Sequence, residues 1–167
     1  MAVLRHEMPD RVPVDLGSTA VSSIHQRAND RLKALLGVEA DEPVHDRVQG
    51  IVVPDERILQ RFGVDLRRVA LRPPSTATAA SLAGGEDTYF DEWGMRRRRT
   101  ELYWEIVGHP LANARMEDLK HYPWPDPRDP RRVAGLAEEA RHLYRETDYA
   151  LVADFLGGGI FEQALWM

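Results

Sequence analysis

The alternating prolines Pro123, Pro125 and Pro127 in His121-Tyr122-Pro123-Trp124-Pro125-Asp126-Pro127-Arg128-Asp129-Pro130 constrain this chain more than any other feature. Each proline fixes its own φ and drives the residue before it out of the helical region, so the backbone runs extended as far as Asp129. Asp129-Pro130 then suits a helix start, with Asp129 as N-cap and Pro130 at the first helical position. Val133, Leu136, Ala137, Ala140, Leu143 and Tyr144 follow at helical spacing and predict one apolar stripe ending near Thr147-Asp148. Tyr149-Ala150-Leu151-Val152-Ala153 reads as a short buried strand, Asp154 to Gly159 as a turn, and Ile160 as the start of another apolar helix. Helix, strand, glycine turn and helix in that order make one α/β unit.

Upstream, Val12-Pro13-Val14-Asp15-Leu16 is expected to form a first strand, although Pro13 suits an edge or a strand's first residues better than its middle. A helix is expected over Ile24–Leu36, with Ser23 and Gln26 at capping-box spacing and Gly37 placed to end it. Its apolar side would be Ile24, Ala28, Leu32, Leu35 and Leu36. A shorter helix over Asp55–Phe62 would be buried through Ile58, Leu59 and Phe62 and closed by Gly63. Leu66–Leu71 reads as a second strand stopped by Pro73-Pro74, and Ser75–Gly85 as a loop. Thr88–Trp93, Gly94 and Met95–Leu102 predict a β-hairpin turning at the glycine. The run Arg96-Arg97-Arg98-Arg99 suggests a phosphate or nucleic-acid site at first sight. Cross-strand pairing with Asp91 and Glu92 on a solvated ribbon is the simpler expectation.

Charge and composition narrow the function classes. A formal net charge of −5 gives no sign of a general nucleic-acid or anionic-membrane surface. The chain has no cysteine, which removes disulfides and thiolate metal sites. The N-terminus lacks the apolar core of a signal peptide, and no stretch reaches transmembrane length, so a soluble cytoplasmic protein is expected. His25, His45, His109, His121 and His142 include no pair at helical ligand spacing and no His-Glu-x-x-His motif. His142 and Glu146 are expected to be an exposed pair on one helix.

Gly157-Gly158-Gly159 lies between a predicted strand and helix, as in phosphate-cradling turns. Glu162, however, stands where the dinucleotide fingerprint wants a third glycine or alanine, and an acid in the first helical turn opposes a bound anion. A tight structural turn is the simpler expectation. Asp15 and Asp154 each close an apolar strand, where loops of a parallel barrel build an active site. Each is a candidate ligand-binding or catalytic acid, or else a cap for the turn that follows.

Asp10-Arg11-Val12-Pro13-Val14-Asp15-Leu16-Gly17, Phe62-Gly63-Val64-Asp65, Asp91-Glu92-Trp93-Gly94, Tyr122-Pro123-Trp124-Pro125-Asp126-Pro127 and Gly158-Gly159-Ile160-Phe161-Glu162 together carry a resemblance. In this order they resemble the N-terminal part of the uroporphyrinogen decarboxylase superfamily, on the side of the branch that contains cobalamin-linked methyltransferases. The resemblance covers nearly the whole chain, and Asp-Glu-Trp-Gly and Tyr-Pro-Trp-Pro-Asp-Pro are its more specific blocks. It implies a TIM barrel, of which this α/β chain would be the N-terminal portion with an inserted β-hairpin. A complete barrel usually needs about 250 residues. This chain has 167.

The departures from the family pattern bear on the reaction. The family's decarboxylases follow the first strand with an arginine-containing loop that holds substrate carboxylates, whereas this chain reads Ser18-Thr19-Ala20-Val21-Ser22. They place an essential aspartate after the second strand, where this chain has Val69-Ala70-Leu71-Arg72-Pro73. Decarboxylation of a polycarboxylate porphyrinogen is therefore disfavoured against methyl transfer. The methyltransferase branch implies a corrinoid protein partner carrying cobalamin. It also implies a zinc site in the later half of the barrel, with ligands beyond this segment.

The candidate pocket residues are Asp15, Ser18, Thr19, Arg72, Trp93, Asp154, Phe161 and Glu162. Only three barrel strands can be counted, near Val12, Val69 and Leu151, and the sequence stops inside an apolar helix. A single domain truncated after the third barrel strand is expected, inactive alone. An open sheet would favour pairing with a C-terminal half or a second copy. A non-catalytic associating fragment is the alternative.

Overall fold

The computed structural model describes residues 2–74, 87–154 and 159–167. Its strands are β1 Ile24–His25, β2 Val44–Asp46, β3 Ile51–Val52, β4 Leu66–Ala70, β5 Thr88–Phe90, β6 Arg96–Arg99, β7 Trp104–Gly108 and β8 Ala150–Asp154. Its α-helices are α1 Gln26–Leu36, α2 Glu56–Arg61, α3 Met116–His121, α4 Leu136–Glu146 and α5 Ile160–Trp166. The fold is mixed α/β, and among the described residues no sheet closes into a barrel. No helix among them is long and apolar enough to cross a membrane. The chain forms two compact units: Met1–Ala70 with Gly135–Asp154, and Leu71–Ala134 with Phe155–Met167.

In the first unit β4 and β8 pair in parallel, from Leu66 opposite Ala150 to Ala70 opposite Asp154. The predicted strands at 66–71 and 149–153 are therefore real, and each is entered from a helix through a short loop. Parallel strands need a long crossover between them. Here that crossover includes α4, which packs against both strands. A second sheet, in the order β1-β3-β2, is antiparallel and supplies Ile51 and Val52 to the core. Ile58, Leu59 and Val64 complete that core; Ile58 is fully buried.

Arg67 and Arg68 are neighbours on β4, so they point to opposite faces of the ladder. Arg67 is buried and finds acceptors for most of its fork. Its Nε and Nη2 donate to Glu56 at 2.9 and 2.8 Å, and Nη1 donates to the carbonyls of Val64 and Leu66. Its guanidinium carbon also lies 3.6 Å from the centre of the Tyr149 ring. The Arg67 hydrogen bond is the main reason the Glu56 carboxyl titrates below the usual range.

Several expectations are corrected here. Val12–Leu16 is not a strand: Pro13 has no N–H to give a ladder, and the Val14 N–H is taken by the Asp65 carboxylate at 2.8 Å. A single backbone bond, Asp65 N–H to Val14 O, remains, and Arg11 clamps the same carboxylate with two bonds. The first helix begins at Gln26, because Ile24 and His25 pair with β3. His25 Nδ1, not Ser23, caps it by accepting from Arg27 N–H, while the Ser23 hydroxyl donates to Val52 O. Its buried residue is Asn29, and Leu35 is exposed. Gly37 ends it in the left-handed region, as expected. Phe62 closes α2 half-exposed, not buried.

The helix expected from Pro130 is two elements. Asp129 caps a 3-10 turn, Pro130–Val133, and Gly135 at φ +75° resets the chain before α4 begins. Val133 and Tyr144 are consequently exposed rather than part of a buried stripe. The helix expected after the glycines, α5, belongs to the second unit and not to the α/β layer of β8. The loop expected over Ser75–Gly85 lies outside the described residues.

The second unit is built on the antiparallel sheet β5-β6-β7. The hairpin turns at Gly94 as predicted, but its second strand ends at Arg99, and β7 adds a third strand. Asp91 organises the turn by accepting from the N–H groups of Trp93 and Met95 and pairing with buried Arg97 at 2.8 Å. Glu92 pairs with Arg132, outside the arginine run, because the turn carries it off the ladder. Tyr122 OH donates to Trp93 O at 2.5 Å, and burial, followed by the nearby Asp91 charge, raises the Tyr122 pKa. Gly94 has φ +75°, and a Cβ there would lie 2.5 Å from Tyr122 OH. Gly94→Ala should therefore lower stability by about 2–3 kcal/mol through strain and the displaced tyrosine, measured by chemical denaturation. A loss below about 0.5 kcal/mol would contradict this packing.

Candidate functional site

The parallel ladder puts Arg68 and Asp154 on one face. Arg68 lies opposite Val152 and Asp154 opposite Ala70, one side-chain repeat further along. Arg68 Nη2 approaches Asp154 Oδ2 at 3.3 Å. His45, on β2, reaches the same oxygen with Nε2 at 3.2 Å. All three side chains are largely withdrawn from solvent, at 16, 8 and 10% exposure for Arg68, Asp154 and His45. Asp154, a candidate from the sequence, thus stands at the carboxyl end of a parallel strand, gripped by one cation and one imidazole.

Burial lowers the His45 pKa first, and the Arg68 charge lowers it further; Asp154 opposes both without reversing them. At neutral pH His45 is therefore the neutral imidazole. With Nε2–H donating to Asp154, its Nδ1 carries the lone pair, the tautomer of a base oriented by a carboxylate. The cluster can fix a polar group and accept a proton.

The other sequence candidates fall in three places. Asp15 is exposed and is the cap of its own turn: Oδ1 accepts Ser18 N–H at 3.2 Å and Oδ2 accepts the Ser18 hydroxyl at 2.5 Å. Ser18 is buried by that contact, and Thr19 caps a 3-10 turn with Ser22. In the second unit Arg72 donates its backbone N–H to Arg132 O, and Trp93 is held in the hairpin turn. Phe161 is exposed on α5, and Glu162 folds back over Gly159, where a Cβ would lie 2.7 Å from its Oε2. Gly157 and Gly158, the rest of the expected tight turn, lie outside the described residues.

His45 and Arg68 were not among the candidates. The one signal for Arg68 was an arginine pair inside an apolar strand, which demands a carboxylate on each face. Nothing near His45 in sequence pointed to Asp154.

Zinc does not fit the residues present. The chain supplies no thiolate. Among the described residues no three of His, Cys, Asp and Glu gather as a ligand set. His45 and Asp154 offer two ligand groups, and the Asp154 Oδ2 that His45 reaches also meets the Arg68 cation.

Comparison of the chain with protein-family models, with curated proteins and with solved structures returns no match.

The His45 ring gives a direct check. Followed by NMR, its titration midpoint should lie below the ordinary value of about 6.5 and rise in an Arg68→Met variant. Because the folded pKa is the depressed one, this group's stability contribution is complete above pH 6.5. It is lost as pH falls toward the folded midpoint, where the unfolded chain binds a proton the folded one refuses. His45→Gln should flatten stability in that window. A midpoint above 6.5 would contradict the buried, cation-flanked geometry.

Proposed function

We propose that this chain is the N-terminal segment of a uroporphyrinogen decarboxylase-like barrel enzyme, of the kind that moves methyl groups with a corrinoid protein partner. The observation carrying this reading is the Asp154–Arg68–His45 cluster at the carboxyl end of a parallel strand pair, the end on which barrel enzymes build their sites. The repeated helix-then-strand order of α2–β4 and α4–β8 fits a partial barrel whose remaining strands come from elsewhere. Methyl transfer from a methoxylated or methylated donor to a thiol or other acceptor needs a positioned base and a pocket wall. His45 and Asp154 suit those roles. The partner's cobalamin would supply the methyl-carrying chemistry, and zinc, if the complete enzyme uses it, would be held outside this chain.

Uroporphyrinogen decarboxylation is the weaker alternative. At the turn after Val14 a polycarboxylate would meet the Asp15 carboxylate, because the Ser18 hydroxyl is already committed to it. A non-catalytic role in association is favoured by one observation: Ile160, Phe161 and Leu165 of α5 are 93, 77 and 68% exposed, an apolar face suited to a complementary chain or a second copy.

The test combines the purified chain with the C-terminal half of a methyltransferase of this family, methylcobalamin and mercaptoethanol. Thioether formation should depend on both halves, and Asp154→Asn should lower it at least tenfold at a temperature where the variant, destabilised by the Arg68 charge it leaves unpaired, is still folded. Turnover indifferent to this chain, or conversion of uroporphyrinogen to coproporphyrinogen, would overturn the proposal.

A further inference from the structure

Within the arginine run on β6, Arg97 is the member that the fold uses: it is buried and pairs with Asp91 at 2.8 Å. Arg96, Arg98 and Arg99 are exposed, and among the described residues their side chains make no ion pair or hydrogen bond. The expected pairing of the run with Asp91 and Glu92 therefore neutralises Arg97 alone, since Glu92 goes to Arg132.

Strand geometry sorts these side chains. Successive residues point to opposite faces, so buried Arg97, with Tyr89 and Ile106 as ladder partners, looks inward, and Arg96 and Arg98 share the outer face. Two residues apart on one strand, they stand about 7 Å from each other at the backbone. β6 is the central strand, so each has a neighbour on either side: Phe90 and Gly108 flank Arg96, and Thr88 and Glu105 flank Arg98. Gly108 brings no side chain to its flank, where a Cβ would lie 2.9 Å from the Arg96 Cβ. Two like charges on one face repel. Glu105 forms no ion pair with Arg98 to offset them.

Charge calls for an anionic partner, and the neighbouring residues specify its kind. A guanidinium holds a phosphate through paired N–H donors and also offers a flat face on which a base stacks. Phe90, half-buried, is the aromatic side chain beside Arg96, and Thr88 sets a hydroxyl beside Arg98. Basic side chains next to an aromatic ring can follow a phosphodiester backbone and stack its unpaired bases. An acidic peptide would use the charges and leave the ring idle. The formal net charge of −5 belongs to the whole chain and does not set the sign of this face.

We infer that the outer face of the β5-β6-β7 sheet binds single-stranded nucleic acid, with Arg96 and Arg98 on its phosphates and Phe90 against a base. The site stands independently of the His45–Asp154 cluster and of the reaction proposed above.

A fluorescein-labelled oligouridylate about 12 nucleotides long, titrated with the full chain at low salt and followed by anisotropy, tests this. It should bind saturably, and more tightly than a duplex of the same length. The double variant Arg96→Gln, Arg98→Gln should keep its melt, because both positions are exposed. It should bind at least about tenfold more weakly and flatten the slope of log affinity against log salt by about 1.4, the loss of two phosphate contacts. Arg61→Gln, which removes an exposed charge from the first unit, should leave affinity and slope near wild type. Phe90→Leu should weaken binding several-fold with the slope unchanged, because stacking releases no counterion. Poly-glutamate on the wild-type chain decides the matter even if a variant does not fold. Binding of poly-glutamate as tight as that of the oligonucleotide would overturn the inference, since an acidic protein segment would then be the occupant. So would the absence of saturable oligonucleotide binding, or binding indifferent to the two arginines.

Discussion

Two adjacent arginines on one strand set the terms for the first unit. Arg67 and Arg68 cannot share a partner, because a strand sends successive side chains to opposite faces. Each must meet its own carboxylate or carry an uncompensated charge into a partly buried ladder. Glu56 answers Arg67 from the start of α2, a neighbour in sequence, with Tyr149 covering the guanidinium. Asp154 answers Arg68 from the far end of β8, a residue that only the parallel register brings near. The ladder and the charge pairing thus specify one another: a slip of one residue would turn Asp154 to the wrong face.

That coupling explains why the candidate chemistry sits where it does. Once Asp154 is fixed beside Arg68, His45 is drawn into a pocket where its protonated form is disfavoured by burial and by the same cation. A neutral, oriented imidazole follows from packing needs, without any further device. The second unit uses a different logic. Asp91 and Tyr122 lock a hairpin turn that glycine alone could make, and the locked turn presents Trp93 to an apolar groove.

Much of the local structure was legible in the sequence. Gly37 and Gly63 marked helix ends, Gly94 the hairpin turn, and the strands expected at 66–71 and 149–153 lie within a residue of the paired strands Leu66–Ala70 and Ala150–Asp154. Signals failed where elements were too short for periodicity or where tertiary contacts outbid local pattern. The two-residue strands β1 and β3 leave no alternation to read, and their pairing moved the start of α1. Val12–Leu16 has strand composition, yet Asp65 took the donor that a ladder required. Gly135, inside an apparently continuous apolar stripe, broke one expected helix into two elements.

The site was legible in part for the same reason. Asp154 announced itself as an acid ending an apolar strand, and Asp15 looked identical by that test. The two part company in structure because Asp15 spends its oxygens on Ser18 three residues away, whereas Asp154 receives His45 and Arg68 from distant parts of the chain. The measurement that most directly tests this account is the pattern of cross-strand NOEs between β4 and β8, together with contacts from the His45 ring. Contacts pairing Val69 with Ala153 in parallel register, with the His45 ring beside Asp154, are predicted. A β8 that is unpaired, antiparallel or shifted by one residue would contradict it, because Asp154 would then leave the face that Arg68 and His45 share.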